Sequence, residues 1–373
     1  MAGLIQGWLQ WIQLQPSEPK PIIKLVAIAR NEAAYIPSWV FHHLRIGVDI
    51  IEIYINNTDD NSLKICRRIK KIYPNFNFIK ADPLLIKSLA KGKSFQITAY
   101  NKSLRRSKRN KDNATHLLAL DLDEYLTPTN LKNNIKNLLS ENKKADAISF
   151  LWYSDDYSRS QDPFQPHLQE KTTVYRLNHV KSLAKISERV ESCLHHNFLF
   201  TGGTPVFNAF GGLHDIQLSD NVNASIHRSK VSMSFLDTLN ANEVEPWFIL
   251  HCIYRSEDEY LASLCRGRKH NNDPSPLKKN RWGLRPYPSF KPVELVVEFD
   301  KKALRGYNAE YQSFISKCGV RKEIKSARGM IKRRVKELDN LFKADPQLLK
   351  SFAQIFRGTR YEKPSPPKQL AVK

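Results

Sequence analysis

Apolar runs of strand length alternate with helical periodicity through the first third of the chain. Residues 22–29, IIKLVAIA, form an uninterrupted run of the kind buried on both faces of a sheet, and it stops at Arg30-Asn31-Glu32. Tyr35, Ile36, Trp39, Val40, His43 and Leu44 then recur at helical spacing until Gly47 ends the pattern. IIEIYINN at 50–57 predicts a second strand that runs into the polar turn Thr58-Asp59-Asp60-Asn61-Ser62. A helix carrying Leu63, Cys66, Ile69 and Ile72 follows, then a short strand from Phe76 to Ile79. This alternation predicts an α/β fold built on a doubly wound, mixed but mostly parallel sheet. Ligands of such sheets belong at the carboxyl ends of the strands.

The early part of residues 89–113, with Gln96 and Asn101, reads as a helix with a solvated basic end. After it comes HLLALDLDEYL, residues 116–126, a buried run that stops at Asp121, Asp123 and Glu124. Further along, 131–139 predicts a helix, 145–157 a strand with a polar tip, and 245–254 a buried strand carrying His251. Between 160 and 245 periodicity is weak and turn residues are common, which predicts substrate loops around the sheet. Past the Pro- and Lys-rich loop 271–292, Ile324, Ile331, Val335, Leu338 and Phe342 make one apolar helical stripe opposite a face dense in Arg and Lys. The organisation expected is an amphipathic segment and linker (1–20), a main α/β domain (21–292), and a basic helical extension with a loose tail (293–373). In the first segment Leu4, Trp8, Trp11 and Ile12 share one helical side, as in a docked helix or an interfacial anchor.

The acidic stretch carries the most informative chemistry. If the strand continues through it, Asp121 and Asp123 share a face and converge where the chain leaves the core, an arrangement that suits a hard divalent cation and a phosphate-bearing ligand. A turn, a helix cap or an ion pair with a nearby cation would use the same residues. Two other polar clusters, Arg30-Asn31-Glu32 and Asn56 to Asp60 (with Asn57 and Asp59), fall at equivalent strand ends, and three such clusters on one sheet would form a single crevice. His251 on its apolar strand reads, from the residues alone, as a hydrogen-bonded core histidine. Arg266, Arg268 and Lys269 just beyond could neutralise a diphosphate or form a solvated charge run.

Composition narrows the partner. The 373 residues, 41% hydrophobic, can bury a large core. Five scattered cysteines with no Cys-x-x-Cys pair exclude a disulfide framework or a zinc site as the organising feature and favour a reducing compartment. The net charge of +22 favours an anionic partner, whether nucleic acid, membrane surface or phosphate-bearing substrate. No window of about 18 or more apolar residues predicts a membrane span, and the amino terminus lacks the layout of a signal peptide. The expected location is cytoplasmic, peripheral to the inner membrane face.

The series LVAIARNEAAYIPSWVFHHLRIGVDIIEIYINNTDDNS, then Gln96 with Asn101, then ALDLDEYL, resembles the amino-terminal half of the family 92 glycosyltransferases and their bacterial relatives near family 2. A second block, HCIYRSEDEYLASLCRG at 251–267, resembles a later segment of the same group, with Cys252 and Tyr254-Arg255-Ser256 departing from its commoner residues and Ser38 replacing a usual Glu. The resemblance implies the glycosyltransferase-A fold, a nucleoside-diphosphate-sugar donor (UDP-linked in our reading) and a Mn2+ or Mg2+ ion at the Asp-x-Asp motif. It also implies transfer of a hexose, with inversion, to a saccharide or glycolipid acceptor. By that likeness Asp121, Asp123 and His251 would meet the metal or diphosphate. Asn31 and Glu32, with Asp59 or Asp60, would line the base and ribose pocket. Arg30, Asn57, Gln96, Asn101, Asp121 and Arg266 complete the donor set. Asp155 or Asp156 at the polar tip, or Asp215 beside His214, is the candidate general base.

Two other classes stay open on the sequence. A nucleic-acid-binding protein or metal nuclease would use the same charge and carboxylates, although no helix-turn-helix, zinc-finger or RNP pattern is present, so no nucleic acid is expected. A catalytically silent sugar- or membrane-binding module would keep the fold without the chemistry.

Overall fold

The computed structural model describes residues 20–155, 162–202, 230–265, 277–278, 281, 283–284 and 293–362, with the backbone alone at 207–209 and 214–215. The amphipathic stretch at 3–14, Asp156, Arg266, most of the 271–292 loop and the tail lie outside the described residues.

The amino-terminal half follows the hydrophobic pattern closely. β1 (Ile23–Ala29), α1 (Ile36–Arg45), β2 (Ile50–Ile55), α2 (Ser62–Ile72), β3 (Phe76–Lys80), α3 (Asp82–Ala90), α4 (Phe95–Lys108) and β4 (His116–Ala119) succeed one another. The strands lie in the parallel order β4-β1-β2-β3. α1 begins with Pro37 in its first turn, where a missing N–H costs nothing. It ends before Gly47, which has φ 104° and lies where a Cβ would collide with Asn134. α3 was not foreshadowed by periodicity; Asp82-Pro83 opens it.

β5 (Glu124–Pro128), α5 (Ile135–Glu141), β6 (Ala147–Asp155) and β7 (Lys171–Lys185) continue the chain. β7 is antiparallel to both β4 and β6 and joins the parallel half to the rest of the sheet. The hairpin of β8 (Val190–Cys193) and β9 (Phe198–Phe200) stands apart, while β10 (Phe207–Ala209) and β11 (His214–Asp215) extend the sheet beyond β6. A short α6 (Met233–Asp237) leads to β12 (Trp247–His251), which runs parallel to β6 and antiparallel to β5. The result is an eleven-stranded mixed sheet. β7 falls where the pattern predicted loops. Its buried positions, on both faces, include Arg176 and Lys181, so the strand lacks the apolar alternation that betrays one.

α7 (Glu257–Leu264), β13 (Val293–Glu298), α8 (Lys301–Cys318) and α9 (Arg321–Ala344) complete the main elements. β13 pairs with β7, so the stretch from 293 first adds to the sheet and turns helical only at Lys301. Asp300 caps α8 by accepting from the Ala303 N–H at 2.7 Å. The predicted stripe of α9 is buried along its length, at Ile324, Ile331, Val335, Leu338 and Phe342. Its first turn is fastened to the loop after β2. Asn61 donates to the Glu323 carbonyl at 2.8 Å, and the Glu323 carboxylate meets Lys64 at 3.1 Å and Arg68 at 3.0 Å. α9 therefore begins over the loop at the end of β2, while α8 packs on α1 and α2.

Two charges sit inside the parallel core. Lys24 of β1 is fully buried and reaches Asp112 at 2.7 Å and Glu52 of β2 at 3.5 Å; Arg106 of α4 meets Glu52 at 3.1 Å. Burial works against the Asp112 carboxylate, but the Lys24 ammonium outweighs it and holds the carboxyl below its ordinary value of 3.8. A carboxyl depressed in the folded state stabilises it at all pH above that ordinary value and loses this contribution as pH falls through the folded value. Asp112→Asn is therefore expected to cost about 1 to 3 kcal/mol at pH 7. In urea denaturation the gap from the parent protein should close below the acid range of Asp112; a gap that persists in acid would assign the loss to packing.

Candidate active site

β4 ends at Ala119, and residues 121–124 form a tight turn into β5 in which the Glu124 N–H donates to the Asp121 carbonyl at 3.1 Å. This corrects the expectation that Asp121 and Asp123 share a strand face, because the two-residue period stops before them. Asp121 turns to α4, where Oδ1 accepts from Gln96 Nε2 at 2.7 Å and from the Tyr100 hydroxyl at 3.2 Å. Asp123 turns to β12, where Oδ2 lies 3.6 Å from His251 Nε2 and 4.0 Å from an Arg281 nitrogen.

Every carbonyl of the turn is held. Trp39 Nε1 donates to the Asp121 carbonyl at 3.1 Å and to that of Glu124 at 2.8 Å. Arg255 donates to Leu122 O at 3.3 Å, and the Cys252 N–H to Asp123 O at 2.7 Å. Beneath the turn the Glu124 carboxylate is fully buried; Oε2 accepts from the Asp121 N–H at 3.0 Å and lies 3.1 Å from Lys181 Nζ. Burial pushes the Glu124 carboxyl up to about 7 against the pull of Lys181. Lys181 also donates to the His195 carbonyl at 2.8 Å.

The electrostatics favour an ionised Asp123. Burial opposes its charge, and His251, Arg255 and Arg281 together overcome that and hold it well below the usual carboxylate range. Burial likewise opposes a charged His251, yet the Asp123 carboxylate raises it above its ordinary value. His251 also packs on Trp152, ring centroids 4.4 Å apart, and Trp152 in turn meets His179 at 5.0 Å and His196 at 4.8 Å. Burial keeps these last two imidazoles neutral.

The β1 and β2 ends form one ledge. Asn31, left-handed at φ 57°, accepts through Oδ1 from Thr58 Oγ1 at 3.0 Å and the Asp59 N–H at 2.9 Å. Asp60 accepts from the Ser62 N–H and the Ala33 N–H, both at 2.9 Å. Those side chains staple the turns together, while the Asp59 carboxylate is exposed and 3.7 Å from Arg334. Asn57 donates its N–H to Asp82 at 2.6 Å. Arg255 links this ledge to the acidic turn: its guanidinium covers the Tyr35 ring at 3.5 Å and lies 4.0 Å from Glu32, near Arg30 in sequence.

Several expected residues have other employment. Both Asp155 oxygens accept backbone N–H groups, from Tyr254 at 3.1 Å and Arg255 at 2.7 Å, so Asp155 shapes the loop that carries Arg255. The Asn101 amide is engaged with the Cys193 backbone in both directions, at 2.7 and 2.9 Å, which ties α4 to β8. Asp215 lies in β11, its backbone paired with Asn208, and its side chain is outside the described residues, as are Asp156 and Arg266. Sequence reading missed Trp39, Tyr100, Lys181 and Arg281 as parts of the site. Only Trp39, on the apolar stripe of the first helix, left any trace in the sequence pattern.

The fold and site define the chain as an α/β protein with a mixed sheet, an acidic turn at the strand ends and a carboxyl-terminal pair of helices. No family model and no curated protein sequence matches it. Among solved structures, HddC from Yersinia pseudotuberculosis is 12% identical over 50% of this chain and 89% of its own, with a TM-score of 0.30. An active-site mutant of LgtC is 14% identical over 44% of this chain and 57% of its own, with a TM-score of 0.24. Superpositions at that level decide nothing about this chain, whose class rests on its own strand pairings.

Removing Lys181 tests how the turn is supported. Lys181→Met leaves Glu124 buried without its cation and should cost about 3 kcal/mol in chemical denaturation. Glu124→Gln combined with Lys181→Met should recover part of that loss; a double variant as weak as the sum of the singles would show that the two side chains act independently.

Proposed function

We propose that the chain is a metal-dependent glycosyltransferase that moves a hexose from a UDP-linked sugar to an acceptor hydroxyl, with inversion, in the synthesis of a surface polysaccharide or glycolipid. The observation that carries this reading is the Asp123 carboxylate 3.6 Å from His251, on a turn immobilised at the ends of parallel strands. The ordered motifs that resemble family 92 transferases support it.

Of the expected ions, Mn2+ fits a carboxylate with an imidazole, whereas Mg2+, which takes oxygen ligands, would rest on the Asp123 carboxylate without His251. Two ligands of one such ion, each about 2.1 Å from it, stand roughly 3 to 4 Å apart, and Asp123 Oδ2 and His251 Nε2 meet that spacing. The described residues offer no group of three or more His, Cys, Asp or Glu placed to hold an ion alone. A divalent ion bound there supplies Lewis-acid stabilisation of the departing diphosphate.

The chain's own residues do the rest. Gln96 and Tyr100 orient Asp121 toward the donor, while Arg255 and Arg281 add positive charge where the leaving group gathers negative charge. Asn31, Glu32 and Asp59 border the nucleoside. We assign Asp156 as the base that takes the acceptor's proton, with Asp215 as its rival, because Asp155 is committed to backbone N–H groups.

A screen of nucleotide sugars for metal-dependent hydrolysis tests class and donor together. Asp123→Ala should keep the parent's melting temperature and lose about a hundredfold or more of the hydrolysis rate. Gln96→Leu, which removes the hydrogen bond that orients Asp121 toward the donor, should lower the hydrolysis rate about tenfold while leaving the apparent Mn2+ affinity nearly unchanged. Hydrolysis that ignores both EDTA and Asp123→Ala would replace the metal reading with one in which Arg255, Arg281 and Lys181 carry the diphosphate alone.

A further inference from the structure

A cavity of about 250 Å3 lies between the start of α1, the β5 and β12 ends and α8. Its walls include the rings of Tyr35, Tyr125, Phe164, Tyr307 and Tyr311. The two carboxylates that border it, Asp155 and Glu259, are spent on hydrogen bonds from Tyr254, Arg255, Ser256 and Phe164. A groove of about 520 Å3 between α8 and α9 shares Phe164, Tyr311, Gln312 and Arg328 with the cavity, so the two form one tract. The groove presents Arg321, Lys325, Arg328 and Lys332, which follow one another at helical spacings of four, three and four along one face of α9. No carboxylate is among its described lining residues. On another face of α9, Arg334 has an acidic partner in Asp59. Arg328 lies at the junction, its guanidinium 5.0 Å from the Phe164 ring centre, where a cation keeps an aromatic contact on one side and can face an anion on the other.

A tract with an aromatic chamber at one end and a row of four cations at the other has the polarity of an amphiphile whose head is an anion. We infer that it binds a phosphate ester carried on a short apolar or ring-shaped body, the phosphate between Lys325 and Arg328 and the body among Tyr35, Phe164 and Tyr311. Arginine and lysine side by side suit phosphate oxygens, with the guanidinium supplying paired donors. The chamber takes the body without burying the charge. The chamber also borders on Arg255, whose guanidinium covers the Tyr35 ring and donates to the Leu122 carbonyl, so the tract adjoins the Asp121–Glu124 turn, while the cations that face the phosphate, Lys325 and Arg328, take no part in the reaction proposed for that turn.

Octyl phosphate, titrated calorimetrically below its micellar concentration and in EDTA, is the probe. The full chain should bind it, and Lys325→Gln with Arg328→Gln should weaken binding at least tenfold, as should Phe164→Ala. Lys302→Gln, an exposed change on α8, should leave affinity unaltered, and so should Asp123→Ala, which separates this site from the metal reading. Octanol and inorganic phosphate should each bind far more weakly than the ester that joins them. Cosedimentation with phosphatidylglycerol–phosphatidylcholine vesicles separates the sources. Vesicle binding lost in the double variant identifies a lipid headgroup, and octyl phosphate binding without vesicle binding identifies a soluble ester. Octyl phosphate that fails to bind the parent chain, or binds the double variant as tightly, overturns the inference.

Discussion

The ion pair of Glu124 and Lys181 is the constraint on which the rest of the site depends. Neither side chain reaches solvent, and each would be costly to bury without the other. Together they fix the acidic turn from below, since the same Glu124 oxygen that meets Lys181 also accepts the Asp121 N–H. Lys181 belongs to β7, the strand that joins the parallel half of the sheet to its mixed remainder. The turn is thereby referenced to both halves at once, and the directions of Asp121 and Asp123 follow from where the sheet's two parts meet.

The positions above the turn show the same logic at smaller cost. Trp39 donates twice from α1, Cys252 once from the end of β12, and Arg255 once from a loop shaped by Asp155. Carboxylates that carry chemistry need fixed directions, and here the backbone that bears them is fixed first. The positive charge around Asp123 holds its carboxyl well below the usual carboxylate range although the side chain is only partly exposed.

Much of this was legible in the sequence, and the limits have physical causes. Elements with one apolar face or two, such as β1, β2, α1 and the stripe of α9, declare themselves through period alone. β7 did not, because its buried positions, on both faces, include Arg176 and Lys181 and so look like loop. Asp121, Asp123, Gln96 and His251 do gather at the strand ends, as motif and order implied. Their use was less legible: Asp155 and Asn101 are polar residues at suggestive positions whose hydrogen bonds go to backbone groups distant in sequence, from Tyr254 and Arg255 or to Cys193. No local pattern encodes such long-range partners. The shape of the 121–124 turn was equally hidden, since an Asp-x-Asp reads the same in a strand and in a bend.

Glu323, which holds the start of α9 to Lys64 and Arg68, gives the molecule an order of assembly. Ribosomes deliver a chain from its amino end, so the parallel strands and their ledge emerge well before the helix that docks over them. Until α9 docks, the cations of α2 that receive Glu323 face open water and the crevice has a floor but no roof. Docking of α9 thus closes over strand ends that the earlier part of the chain leaves open to water.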